Sequence, residues 1–230
     1  MTRSLKAIGI SAMAVMAMTA VMATAAQATP TAAKFTAASY PAYVHAESAK
    51  GKEIFTTEAG QVKCKSTFTG TLSESSQTFT ITPTYSECEA FGFLSATVNM
   101  EKCNYLFHLT TEFAVSAPTE SPAYQAHVDL KCGAGESVKI VAGTCEVQVD
   151  AQDGMTTVDL YNMKAATPND VTVTPTVSLK YTVTKDGFGC PFTGLGEKTG
   201  TYTSTEKTTA RIYEETVDKT RGNAIDGHIG

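Results

Sequence analysis

From Val62 to Val183 the chain alternates between two kinds of side chain, run after run. Val62, Cys64, Ser66 and Phe68 are interleaved with Lys63, Lys65, Thr67 and Thr69, and Phe79, Ile81, Pro83 and Tyr85 with Thr78, Thr80, Thr82 and Thr84. The pattern returns at Tyr105/Phe107/Leu109/Phe113, Ala126/Val128/Leu130/Cys132, Cys145/Val147/Val149 and Val177/Leu179/Tyr181/Val183. A period of two sends one set to each face of an extended strand, as half-buried antiparallel strands require. No capped helical stretch interrupts these runs. The expected fold is therefore all-β, an antiparallel β-sandwich or barrel-like sandwich of about ten to twelve strands. Asp153-Gly154 and Asp186-Gly187 suit tight hairpin turns, and Pro118 and Pro122 mark a loop between Phe113 and Tyr124.

The first residues have a different character. Arg3 and Lys6 precede an uncharged Ala/Met/Val stretch that ends at Ala26-Gln27-Ala28. This is the layout of an export signal with a small-x-small cleavage site. A membrane anchor is the competing reading, but the stretch is only weakly apolar and its small residues sit where a peptidase needs them. Residues 1–28 are thus expected to be a cleaved signal peptide, 29–33 a short Thr/Ala/Pro segment, and 34–230 one β domain. No apolar tail follows Gly222, so no membrane insertion is expected after cleavage. The expected location is secreted, extracellular or associated with the cell envelope.

Composition excludes further classes. The net charge is −5, and losing Arg3 and Lys6 makes the mature chain more acidic still. Such a surface repels phosphate backbones, so no nucleic-acid partner is expected. Charged residues make up 18% of the chain, and 37 threonines take their place, where globular proteins carry roughly 25% charge. The surface is polar, weakly charged and rich in a β-branched residue that favours strands.

Six cysteines, at 64, 88, 103, 132, 145 and 190, lack any C-x-x-C spacing. In an exported chain an even set reads as three structural disulfides, although spacing alone leaves many connectivities open. Pairing near neighbours gives Cys88–Cys103 and Cys132–Cys145, which leaves Cys64–Cys190. A loop of about 15 residues closed in this way removes roughly 3 kcal/mol of denatured-state entropy.

Chemistry-bearing groupings are sparse. With Phe113 opposite Tyr124, His108 falls opposite Asp129 and Thr110 opposite His127, with Glu112 one step along. His108, His127, Asp129 and Glu112 would then share an outer strand face that could hold Zn²⁺ or a similar cation. The same residues serve equally as an ordinary solvated strand face. Glu87 and Glu89, Glu214-Glu215, and Asp150, Asp153 and Asp159 are further acidic groups. Nothing sets any pair of them across a cleft as glycoside hydrolysis requires. There is no G-x-S-x-G, H-E-x-x-H or Gly-rich phosphate loop. Tryptophan is absent, which weakens a sugar-binding reading; Tyr161 is one of few candidate surface rings.

The stretch Thr82-Pro83-Thr84-Tyr85-Ser86-Glu87-Cys88-Glu89-Ala90-Phe91-Gly92-Phe93, continued through Ala96-Thr97-Val98-Asn99-Met100 to Cys103, resembles a pattern in uncharacterised exported all-β proteins of high-GC soil actinobacteria. The run from Cys145 through Val177-Ser178-Leu179-Lys180-Tyr181 to Gly200-Thr201-Tyr202-Thr203 is similar to the same group. The resemblance implies a free-standing extracellular or envelope-associated β protein, and no functional residue carries over. The expectation is a non-enzymatic secreted protein, without cofactor, with a structural, adhesive or interaction role at or beyond the envelope. Its partners would be an envelope protein or glycan. The alternatives are a small-ligand or metal-binding module using the outer face of the 105–132 hairpin, and a secreted hydrolase built from loop carboxylates.

Overall fold

The alternating runs become strands, and the longest of them serve two neighbours at once. In a computed structural model, which describes residues 32–113, 120–163, 170–215, 221–224 and 227–229, every regular element is a β-strand. In chain order they are β1 (Phe35–Ala37), β2 (Ala42–Thr57), β3 (Gly60–Leu72), β4 (Thr78–Ala90), β5 (Leu94–Asn99), β6 (Cys103–Phe113), β7 (Glu120–Cys132) and β8 (Val138–Ala142). Then follow β9 (Cys145–Val149), β10 (Gln152–Met163), β11 (Asp170–Thr174), β12 (Thr176–Asp186), β13 (Gly196–Ser204), β14 (Thr208–Glu215), β15 (Arg221–Ala224) and β16 (Gly227–Ile229). The expected all-β class holds, with sixteen strands in place of ten to twelve. The surplus includes β1, β15 and β16, which are too short for a period of two to register.

All pairings are antiparallel, and one large sheet closes on itself twice. The first half of β2 pairs with β14 (Ala46↔Ala210) and its second half with β13 (Phe55↔Tyr202). The same fork occurs in β4, whose start pairs with β6 (Ile81↔Tyr105) and whose end pairs with β5 (Cys88↔Ala96). Two rings of strands result. The first is β2-β3-β4-β6-β7-β10-β11-β14 and the second β2-β3-β4-β5-β8-β9-β12-β13, so β2, β3 and β4 form a wall common to both. Closure leaves few exposed edges, which suits a sheet this large. Ala32–Gly230 form one compact unit.

The alternating faces point where their pattern says. Val62, Cys64 and Ser66, Ala126, Val128 and Leu130, and Cys145, Val147 and Val149 are buried in the interior. Pairing details depart from expectation. From Cys103 to Leu109 the β6–β7 register is two residues away from the expected one: Cys103 stands opposite Cys132, Leu106 opposite Asp129 and His108 opposite His127. Past a bulge after Leu109 the offset falls to one, with Glu112 opposite Tyr124 and Phe113 opposite Ala123. Up to Leu109 a shift of two leaves each side chain on its own face, so alternation cannot distinguish the two registers there, whereas the bulge after Leu109 exchanges the faces of the residues beyond it. β7 begins at Glu120, which puts Pro122 in a strand; Pro118 lies outside the described residues. Asp153-Gly154 forms no hairpin turn, because β9 and β10 are not partners. It is a bulge within β10, where Gly154 adopts φ +59°. Asp186-Gly187 does leave a strand that pairs with the next, but through the long segment between Asp186 and Gly196.

All three expected disulfide pairings are replaced. The bridges are Cys64–Cys88, Cys103–Cys132 and Cys145–Cys190, with Cα separations of 4.1, 4.0 and 5.3 Å. Two join neighbouring strands and the third joins a strand to an adjacent loop. Cys103 and Cys132 are direct partners across β6 and β7, and Cys145 lies opposite Asp186, just before the loop that carries Cys190. Cys64 meets Cys88 at a bulge between β3 and β4. Closeness in sequence misleads here because β5 intervenes between Cys88 and Cys103 and leaves to pair with β8, which itself separates Cys132 from Cys145. Three bridges suit an oxidising, extracellular environment. Among the described residues no helix is long and apolar enough to cross a membrane.

One end of the first ring is covered by β1 and β16, which pair with each other (Phe35↔Ile229), while Phe35 also bridges to Ser76. Asn162 of β10 fastens this cap. Its amide donates to the Ile229 carbonyl at 2.8 Å and accepts from the Ile229 N–H at 2.9 Å.

Candidate functional site

The fork in β2 places a carboxylate inside the molecule. Glu53 is the first residue of β2 to pair again with β3 after a register shift, and it stands opposite Cys64 and Ser204. It is 1% exposed. The chain crosses this fork a second time between the end of β13 and the start of β14, and both ends supply hydroxyls. Ser204 and Thr208 donate to Oε1 at 3.2 and 3.3 Å, and Tyr202 donates to Oε2 at 2.5 Å. Glu53 therefore ties together the two strands that close the two rings. Its partners among the described residues are hydroxyls, with no ammonium or guanidinium among them.

The hydroxyl chain continues inward. Tyr85 donates to the Tyr202 oxygen at 3.3 Å and lies 2.9 Å from the Tyr105 hydroxyl. Because the carboxylate can only accept, Tyr202 spends its proton on Glu53 and Tyr85 spends its own on Tyr202. Tyr105 must then donate to Tyr85, which leaves the Tyr105 oxygen as the accepting end of the relay. Burial pushes the phenols of Tyr85 and Tyr202 well above their usual range, with neighbouring phenols and the Glu53 charge adding to it. Burial likewise pushes Tyr105 up to about 12. All three stay protonated, as hydrogen-bond donors must.

This cluster lies between cavities. One, of about 60 Å³, extends into the second ring and is lined by Phe55, Val62, Val98, Val138, Ile140 and Val149. Another, of about 80 Å³, extends into the first ring past Phe68, Ile81, Phe107, Val128, Val158 and Val177. Glu53, Tyr105, Tyr202, Met155 and Leu179 line both. A third, of about 50 Å³, shares Ile81 and Phe107 with the second and ends beneath Phe35 and His228 of the cap. A water needs only some 10–15 Å³, and a guest the size of benzene about 150 Å³. The first two cavities together approach the larger figure.

The outer face of the β6–β7 hairpin was the site expected from sequence. His108 and Asp129 do meet there, with Nε2 3.0 Å from Oδ2, as diagonal neighbours instead of opposite ones. The same Oδ2 is 3.1 Å from the Lys131 ammonium, and Oδ1 accepts the Gly154 N–H at 2.6 Å. Burial would raise the Asp129 carboxyl, but the bonds from Gly154, Lys131 and His108 together hold it below its usual range. Lys131 also reaches Asp153 at 2.5 Å, so the face carries its own cation. His127 is exposed opposite His108, and the Glu112 side chain lies outside the described residues. Among the described residues no three His, Cys, Asp or Glu side chains converge where a metal ion would sit. The acidic groups near the 150s are equally dispersed: Asp150 accepts from Gln148 and Asp159 from Gln125. Tyr161 has the Lys207 ammonium 4.5 Å from its ring centroid.

At the far end of the second ring three large apolar side chains face solvent. Phe93 follows the β4–β5 turn, and Phe188 and Leu195 lie in the β12–β13 connection. The loops are in contact: the Thr144 hydroxyl donates to the Phe188 carbonyl at 2.9 Å, and Phe91 packs edge-on against Phe192.

No known protein family, curated protein or solved structure matches the chain. Sequence reading missed the inner cluster, although part of its signal was present. Tyr85 and Tyr105 fall on apolar faces, and a phenol buried there needs a hydroxyl partner. What no pattern disclosed is that Glu53 and Tyr202, 149 residues apart, meet them.

Proposed function

We propose that the chain is an exported, non-enzymatic β protein acting at or beyond the cell envelope, and that it binds a small ligand in its interior. The supporting observation is Glu53, a fully buried carboxylate held by hydroxyls at the junction of two apolar cavities. Binding pockets commonly combine apolar walls with a few fixed polar groups, and barrels often hold one small ligand. The signal-like sequence of residues 1–28 and the three disulfides support the location. The oxidised mature chain, beginning at Thr29, is expected to melt higher in the presence of an interior ligand. At 100 times its dissociation constant a ligand of the native state adds about 2.7 kcal/mol. A panel of small amphiphiles that leaves the melting temperature unchanged would remove this reading.

A second reading, contact with an envelope partner, is favoured by the exposed Phe93, Phe188 and Leu195. Replacing all three with serine is then expected to lower co-sedimentation with isolated cell envelopes without changing the melting temperature. Equal sedimentation of the variant and parent proteins would count against it.

A further inference from the structure

We propose that the ligand is a slender apolar molecule carrying one protonated amine, with its ammonium beside Glu53 and its chain in the adjoining cavities. The inference rests on reading the interior as a ligand site, and adds the ligand's chemical class. A carboxylate taken out of water is normally matched by a cation, because hydroxyl donors only partly replace its hydration. Glu53 is 1% exposed, and its partners among the described residues are the hydroxyls of Tyr202, Ser204 and Thr208. The Glu53 carboxyl thus has no cationic partner among the described residues, and it borders both central cavities.

The surroundings fit an ammonium better than other polar groups. The relay through Tyr202 and Tyr85 directs every phenolic proton toward Glu53 and leaves the Tyr105 oxygen as an acceptor on the same two cavities. An ammonium has three donors and accepts nothing, which matches two acceptors facing it. A ligand carboxylate would meet Glu53 with like charge, and an alcohol would leave the charge unmatched. Beyond the cluster the walls are aliphatic and aromatic in both directions, Ile140 and Val149 on one side and Val128 and Val158 on the other. They leave room for a chain and not for a second polar group.

The test compares three eight-carbon probes, octylamine, 1-octanol and octanoate, on the oxidised mature protein by thermal melt and native mass spectrometry. Octylamine is expected to raise the melting temperature and to remain bound at one per chain, with at least tenfold tighter binding than 1-octanol and no binding of octanoate. In Glu53→Gln the preference of amine over alcohol should vanish while alcohol binding persists. If 1-octanol binds the parent as tightly as octylamine, the amine inference is overturned and the interior site stands. If none of the three binds, both fall. Should Glu53→Gln fail to fold, the ranking of the probes on the parent protein, together with loss of that ranking in Tyr105→Phe, decides between the same outcomes.

Discussion

At the scale of single residues the inner cluster sets the most demanding conditions. Tyr202→Phe keeps the ring but removes the donor to Glu53 Oε2 and the acceptor for Tyr85. Leaving a buried charged oxygen short of a partner costs about 1–3 kcal/mol, so the urea midpoint should fall by a corresponding amount with an unchanged slope. The phenols also make an alkaline prediction. Their folded pKa values lie above the unfolded value near 10, so the folded state holds more protons once the pH passes that point. The stability they contribute is complete below about pH 10 and declines as pH rises toward and through the folded values. The decline is up to about 1.4 kcal/mol per pH unit for each phenol. Absorbance titration of the nine tyrosines should find Tyr85, Tyr105 and Tyr202 ionising late, together with the buried Tyr181, which burial also raises. Burial of Tyr85 and Tyr105 was legible from alternation, since it needs only the face. Their company was not, because it depends on which strands become neighbours.

At the scale of elements the same division recurs. Faces follow from local pattern, and the alternating runs turned their apolar sets inward over the described side chains. Register does not, since a slip of two in β6–β7 preserves the faces, and His108 reached Asp129 diagonally in spite of it. Disulfide partners are further removed, because the forks in β2 and β4 decide which cysteines come together. The cap offers a separate test. Asn162→Ala strips both hydrogen bonds from Ile229, which is almost wholly buried. The loss is expected to be about 1–3 kcal/mol. Hydrogen exchange should quicken in β16, first at Ile229, whose N–H Asn162 accepts, while the β3 amides remain protected. Equal acceleration in β3 would mean that the cap is not a separable element.

For the molecule as a whole, the shared wall implies one transition. Neither ring can lose β2, β3 or β4 without opening the other. Circular dichroism, tyrosine fluorescence and calorimetry should therefore give coincident unfolding curves, with disulfides intact. Two separate steps would show that the rings melt independently.

The order in which the strands occur along the chain has a consequence for biogenesis. Strands of the two rings interleave: β6 and β7 belong to the first, β8 and β9 to the second, β10 and β11 to the first, β12 and β13 to the second. Both seams close on β2 through residues 201–214. A nascent chain crossing a membrane would have nothing to close until almost its whole length had emerged. In a chain exported through a membrane, such a topology would leave both rings open until residues 201–214 had followed β2 across.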